Sequence, residues 1–435
     1  MSEPIVILTY GTRGDVQPCV TLGRHLRARG HEVRVVTNPR YASMVAAAGL
    51  MHFPFGLDID GLLETVDWST WHAGTGNGPV TKRSLELLTS ALDERMAELD
   101  AACVGARAIL SPTWGGVSHY GADSRGIPSA YLHVQPWEPT RAFPNIWVSS
   151  NRSLGGRLNR ASHSLAAQVH WKAVREPINR WRNATRGLPP LPKKASEVLA
   201  ARAPAPVLCG FSEHVVPRPH DWSENVHVTG YWHADSAGTW APPTELAAFL
   251  DAGDPPVYVG FGSWLPGDPV DLYRIIVAAL RKAGVRGIVH VGSETGDHGR
   301  FGNDMFATSF VPYDWLFSRT AAVVHHGGAG TTGLALRAGV PNVVCPFYGD
   351  QMFWAARVHA LGAGPKPVPI KGLSAETLSG AIRSALSDSR IRAKAAALGA
   401  AMRRENGATL ACDIVENWLA ANAPKPTEVV GSEAK

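Results

Sequence analysis

The sequence has 435 residues, 45% of them apolar and 18% charged, with a formal net charge of +5. That length exceeds what one core usually holds, so two domains are expected, and the composition excludes a disordered or fibrous chain. No apolar run approaches the ~18 residues of a membrane span. The amino terminus lacks the layout of a secretory leader. The five cysteines are scattered without a CxxC pair, which argues against a disulfide framework or a structural zinc site. A cytoplasmic protein without integral membrane contact is expected. The densest basic cluster, Arg390 to Arg404, is interleaved with alanines and reads as a solvated helix face, so no nucleic-acid partner is expected. The positive balance suits an anionic small ligand.

In chain order, Ile5 to Thr9 is a short apolar run that leads into the loop Tyr10 to Gly14. Val16 to Arg29 reads as an amphipathic helix ended by Gly30. A strand at His31 to Thr37 and a helix at Arg40 to Ala48 follow, then strands at Ala108 to Ser111 and Ser129 to Val134. Alternating strands and helices with short links predict a parallel sheet covered on both faces. Leu154 to Arg186 carries only helix signals and reads as an insertion of several helices, and Val207 to Gly210 is another strand. Val226 to Gly230 then reads as the restart of the pattern, with a polar linker at His233 to Pro243. A second series follows, from the strand at Val257 to Gly262 through strands at Gly287, Met305, Ala321 and Asn342 to a helix from Gln351.

The expected organisation is an α/β chain with one domain over residues 1–225 and a second over 226–404. A helix over 405–422 is expected to pack back on the first domain, and the polar tail 423–435 to be disordered. Open α/β sheets bind ligands at the carboxyl ends of their strands, so the site belongs in the cleft between two such edges.

The run from His325 to Thr332, HHGGAGTT, sits at one of those edges. Its glycines let backbone approach a ligand closely, and the helix that follows points its free N–H groups and dipole into the loop. His326, Thr331 and Thr332 add side-chain donors, which suits a diphosphate leaving group held without a metal. Taken alone, the loop is also compatible with a tight strand-to-helix turn that binds nothing. Two further polar strand ends share the edge: PFYGDQ supplies Asp350 and Gln351 as partners for sugar hydroxyls, and VGFGS ends in Ser263. Three such ends meeting on one loop are what a nucleotide-sugar pocket requires.

The segments PYDWLF, HHGGAGTT, AGVPNVVCPFYGDQ and FWAARV, with GTRGDVQP at Gly11 to Pro18 and INRWRNATRGLPP at Ile178 to Pro190, resemble the inverting family-1 glycosyltransferases. The sterol 3-beta-glucosyltransferase-like and bacterial natural-product branch is the part of the family they resemble most. The resemblance runs from residue 5 to about residue 420. It implies a GT-B fold of two Rossmann-like domains, the N-terminal one for the acceptor and the C-terminal one for a UDP- or TDP-sugar, with no metal or other cofactor. It places His326 on the donor phosphate, with Gly328, Ala329, Gly330, Thr331 and Thr332 cradling the diphosphate. Asp350 and Gln351 would hold the sugar, Ser263 would touch phosphate or sugar, and Phe310 would stack on the nucleobase beside backbone contacts from Val311. Gly14 would face the donor from the other domain. Plant members carry a ribose-binding Glu where this chain has Leu334, so UDP and TDP both remain open. His325 is expected to point away from the site.

An inverting transfer needs a base for the acceptor hydroxyl. Asp15 stands about where many relatives have a histidine, and the resemblance gives it that role. The other reading is that Asp15 is the N-cap of its helix, and the two roles can coexist. The segment ILSPTW lacks the carboxylate that orients a histidine base in relatives, as fits an aspartate base. An exposed carboxyl is a weak base, so burial under the acceptor would have to raise its pKa. Trp71 and His72 lie in a Gly-rich loop that suits a lid, and Trp114, His133, Gln135, Trp137 and Phe143 follow strand ends on the acceptor side. Aromatic rings there suit a flat apolar aglycone, such as a sterol, a macrolide or other polyketide, or a polyphenol, although each ring is equally compatible with core packing.

The expected function is transfer of a hexose, most simply glucose, to a hydroxyl of such a molecule, by a monomer or homodimer. The alternatives are a nucleotide-sugar epimerase on the same fold and a non-catalytic homologue that activates a partner transferase. A dinucleotide oxidoreductase fits poorly, because the first strand leads into GTRGDV rather than GxGxxG.

Overall fold

The computed structural model describes residues 3–59, 61, 86, 89, 92–112, 125–148, 153–201, 205–234, 240–262, 269–291, 299–300, 302–309 and 311–422. Among them, two separate sheets form. The first comprises β1 (Ile5–Leu8), β2 (Val33–Thr37), β3 (Met51–Pro54), β4 (Ala108–Ser111), β5 (Ser129–His133), β6 (Val207–Cys209) and β7 (Val226–Val228). Their order is β3-β2-β1-β4-β5-β6-β7, and every pair is parallel. The second comprises β8 (Val257–Gly260), β9 (Gly287–His290), β10 (Gly299–Arg300), β11 (Met305–Thr308), β12 (Ala322–His325) and β13 (Asn342–Val344). Their order is β10-β11-β9-β8-β12-β13, and only the short β10 runs antiparallel to its neighbour.

Strand order reverses beside β1 in the first sheet and beside β8 in the second, so each sheet opens a crevice at the carboxyl end of a central strand. The central strands are apolar on both faces, as buried parallel strands must be: β1 reads IVIL and β12 reads AVVH, with every residue buried.

Several helices frame these crevices: α1 (Arg13–Ala28), α2 (Gly156–Arg186), α3 (Pro269–Ala283), α4 (Ala329–Ala338), α5 (Gln351–Ala360) and α6 (Gly407–Ala421). Two boundaries differ from the pattern reading. Val226–Val228 does not open the second domain; it pairs with β6 and closes the first sheet, because its three residues register with Val207, Leu208 and Cys209. The segment from Leu154 to Arg186 is one long helix rather than several. Its internal Pro177 does not break it.

The chain crosses between the domains twice, at Gly230 and again at Gly407. Here the two backbones touch so closely that a Cβ on Gly407 would lie 2.5 Å from the carbonyl carbon of Gly230. After the second crossing, α6 docks on the first domain. Ala408, Ala411, Cys412 and Val415 join the core cluster formed by Ile5, Leu22, Leu26 and Trp232. Arg29 ties the docked helix down through Asp413 at 2.6 Å and Glu416 at 2.8 Å, and His31 adds a 2.9 Å contact to Glu416. These ion pairs are partly exposed and contribute little, so burial of the apolar face holds the helix. Val415→Ala is expected to lower the stability of the chain by about 2 kcal/mol, read by urea denaturation. A change under about 0.5 kcal/mol would show that α6 is not part of this core.

Candidate active site

The two crevices meet in one cleft of about 470 Å³, lined from the first domain by Tyr10 to Asp15, Gln135, Trp137 and Trp147 and from the second by the loops after β8, β12 and β13. Its N-terminal wall begins where β1 ends. Gly11 turns the chain at φ +119°, and a Cβ there would stand 2.4 Å from an Asp15 carboxylate oxygen, so only glycine fits. α1 then starts at Arg13, three residues earlier than its apolar pattern suggests. Thr12, not Asp15, is the N-cap. Asp15 is the N3 residue of a capping box: its Oδ2 accepts from the Thr12 backbone N–H at 2.9 Å and from Thr12 Oγ1 at 3.1 Å. The N-cap reading of Asp15 is thus corrected, and the carboxylate is anchored by one oxygen. Its other oxygen, Oδ1, accepts a 3.1 Å bond from Gln135 Nε2.

The donor wall is built on β12. His325 is fully buried, and its ring is spent on structure: Nδ1 accepts from Gly327 N at 3.0 Å and Nε2 meets Asn342 Oδ1 at 3.0 Å. Nδ1 accepts a backbone N–H, so the ring is neutral and Nε2 donates. Burial pushes its pKa down to about 4. Gly327, at φ +96°, turns the chain, and His326 then faces the cleft. The His326 ring lies against two bare glycines, with Cβ positions of Gly262 and Gly328 at 3.2 Å and 2.6 Å from its atoms. Its Nδ1 is buried without a protein partner. Burial and the neighbouring His325 hold its pKa down to about 3, so His326 presents a neutral N–H donor rather than a cation. α4 begins at Ala329 with Gly328 as a bare N-cap, leaving its first N–H groups without a side-chain cap.

Gly14, Asp15, Val311, His326, Gly328, Ala329, Gly330, Thr331, Asp350, Gln351, Gln135 and Trp137 all line the cleft. Others stand elsewhere. Thr332 is completely buried with its hydroxyl turned inward, so Thr331 alone of the threonine pair faces the cleft. His133 is buried beneath the edge of the sheet, with Glu138 at 3.8 Å from its Nδ1. Phe143 packs into the core against Phe353 and Trp222. A strand-end position does not reveal which way a side chain points, and these two point inward. Trp71, His72, Trp114, Ser263 and Phe310 lie outside the described residues.

Gln351 also changes role. Its Oε1 accepts from the backbone N–H groups of Phe347 and Tyr348 at 2.9 and 3.0 Å, so only its amide N–H groups remain for a ligand: it is a donor there, not an acceptor. Asp350 precedes α5 and takes a 2.7 Å bond from Trp354 Nε1 on Oδ2. Burial lifts its pKa to about 7, the Asp15 charge adds to the rise, and the Trp354 bond opposes it.

Two rings that sequence patterning did not single out complete the wall: Trp147 stacks on Trp137 at 6.2 Å and meets Tyr348 edge-on at 5.8 Å, across the cleft. Tyr348 stands inside the PFYGDQ segment and could have been found there. Trp147 carries no such signal.

Two parallel-sheet domains facing across one cleft, with a carboxylate on one wall and a bare helix N-terminus on the other, form the GT-B architecture. Residues 5–144 match the glycosyltransferase family 28 N-terminal domain, and residues 288–433 match the C-terminal domain of erythromycin biosynthesis protein CIII-like proteins. The O-mycaminosyltylonolide 6-deoxyallosyltransferase of Streptomyces fradiae is 36% identical over 95% of this chain and 97% of its own length. The sterol 3-beta-glucosyltransferase of Cryptococcus neoformans is 33% identical over 95% of this chain, which spans only 27% of that longer protein. The structure of glycosyltransferase VinC in complex with dTDP shares the fold, at a TM-score of 0.65 and 18% identity over 96% of this chain and all of that one (100%). The chain belongs to the glycosyltransferase family that includes the sterol 3-beta-glucosyltransferases and the macrolide glycosyltransferases. No described helix is long and apolar enough to cross a membrane.

The raised pKa of Asp350 has a testable consequence. Its ionisation costs stability above about pH 7, and the cost shrinks as pH falls from there toward the ordinary carboxyl value, because the folded state then binds the extra proton. Asp350→Asn is expected to stabilise the unliganded protein at pH 8 and to lose most of that advantage by pH 5, read by thermal denaturation. An advantage independent of pH would contradict the assignment.

Proposed function

We propose that this chain moves a hexosyl group from a UDP- or TDP-sugar to a hydroxyl of a hydrophobic small molecule, with inversion and without a metal. The observation that carries the reading is the opposition of Asp15, oriented by two sets of hydrogen bonds, to the bare N-terminus of α4 across one cleft. The acceptor oxygen attacks the anomeric carbon as Asp15 takes its proton. The bond from that carbon to the phosphate oxygen breaks, and the nucleoside diphosphate leaves with the electron pair. A single displacement of this kind inverts the anomeric centre.

Charge developing on the leaving phosphate meets the first N–H groups of α4, the helix dipole, the Thr331 hydroxyl and the neutral His326 N–H. Asp350 and the Gln351 amide hold the hexose from beside the loop, one accepting and one donating. The dTDP held by VinC, a protein of the same fold, supports a nucleoside diphosphate as the leaving group. Leu334 also lines the cleft and leaves the base and ribose preference undecided between UDP and TDP. The apolar rings of Trp137 and Trp147 on the first domain favour a flat apolar acceptor. The sterol and macrolide relatives point to that class of aglycone.

UDP-glucose and TDP-glucose incubated with a panel of sterols, macrolides and flavonoids should yield products heavier by one hexose. Asp15→Asn is expected to reduce turnover about 10²- to 10⁴-fold while leaving nucleoside diphosphate affinity unchanged. Near-normal turnover in that variant would remove Asp15 from the role of base. No transfer and no donor hydrolysis by the unaltered protein would favour a non-catalytic homologue.

A further inference from the structure

Gln135 stands where an acceptor contact was expected, yet its own bonds lead elsewhere. Trp137 Nε1 lies 3.2 Å from Gln135 Oε1. An indole N–H only donates, so the atom it meets is the amide oxygen, and the amide cannot be turned over. The nitrogen is thereby aimed at Asp15 Oδ1, 3.1 Å away. Gln135 also opposes the rise of the Asp350 pKa, so this neutral side chain acts on a carboxylate from each domain. The stacking of Trp137 on Trp147, and of Trp147 edge-on to Tyr348, braces the same arm from behind.

We propose that Gln135 is a positioning residue, which fixes the orientation and proton affinity of Asp15. The catalytic part of this rests on Asp15 being the base. Thr12 anchors Oδ2 and the Gln135 bond holds Oδ1, so both carboxylate oxygens have a bonded partner. Donation to Oδ1 also favours the ionised form, the one that accepts a proton. The other groups facing Asp15 are Tyr10 and Cys19 from its own domain and Tyr348 and Asp350 from the other, with Arg13 two residues away. The tyrosine and cysteine groups are all pushed upward by burial and stay neutral near pH 7.

The test is Gln135→Leu in the full chain, with Trp137→Phe as a milder companion that releases the amide oxygen and leaves the amide in place. The Asp15 carboxyl carbon is followed by ¹³C NMR over pH in unliganded protein, with Asp15→Asn identifying its signal. The midpoint is expected to move up by about one pH unit in Gln135→Leu and by less in Trp137→Phe. In turnover, kcat is expected to fall about 10- to 100-fold and its acid limb to move up with the midpoint. In Gln135→Leu the acceptor KM should stay within about threefold. An unmoved midpoint in both variants overturns the proposal, as does a raised acceptor KM in Gln135→Leu with kcat and its pH limb unchanged. A shifted midpoint with unaltered kcat would leave the positioning of Asp15 standing and remove Asp15 as the base.

Discussion

The whole site depends on a capping box. Thr12 and Asp15 exchange hydrogen bonds that satisfy donors at the start of α1, so the residue that starts the helix also fixes the carboxylate facing the cleft. Helix N-termini ordinarily recruit an acidic side chain for their own stability. Here the atoms that meet that local need also orient a carboxylate toward the cleft. Gly11 makes the arrangement possible, since any Cβ at φ +119° would collide with the carboxylate it frames. The central β1 then carries the assembly to the switch point of its sheet, where a parallel α/β layer exposes ligands.

The opposite wall poses the opposite problem: there a helix N-terminus stays bare. Gly328 offers no capping side chain, and Thr332, a turn into the helix, faces the core. The loop is held from below instead. His325 uses both ring nitrogens on Gly327 and Asn342, so the turn is rigid without any side chain entering the space above α4. His326 occupies the remaining room because Gly262 and Gly328 present no Cβ to it. Adjacent histidines therefore do different work, one as scaffold and one as donor, and both are neutral because both are desolvated.

Much of this was legible in the sequence. Apolar runs, helix periods and the C-terminal glycines located most of the strands and helices, because parallel sheets bury their strands on both faces and leave little to alternate. The glycine loop and PFYGDQ were legible because close backbone approach demands particular residues at particular places. What was not legible depends on direction and on distant partners. Thr332, His133 and Phe143 occupy positions compatible with the site, but the packing of α4 and of the segment after β5 turns them inward. Val226–Val228 looked like a restart because periodicity carries no record of which sheet a strand joins. Asp15 at N3 rather than N-cap was obscured because Arg13 and Gly14 carry no apolar signal, and the helix begins before its apolar stripe does.

The side chain that holds Asp15 Oδ1 is uncharged, and that choice has a physical reason. A lysine or arginine in place of Gln135 would bond the same carboxylate, yet it would hold the pKa down and make the carboxylate a weaker proton acceptor. A primary amide aligns Asp15 while adding no net charge, so it leaves the repulsion between Asp15 and Asp350 in place. Part of that repulsion, with burial, is what lifts Asp350 to about 7. Any hydroxyl that hydrogen-bonds Asp350 favours its ionised form, as a donor to a carboxylate does. Two carboxylates facing one cleft therefore couple its charge state to whatever donors enter it.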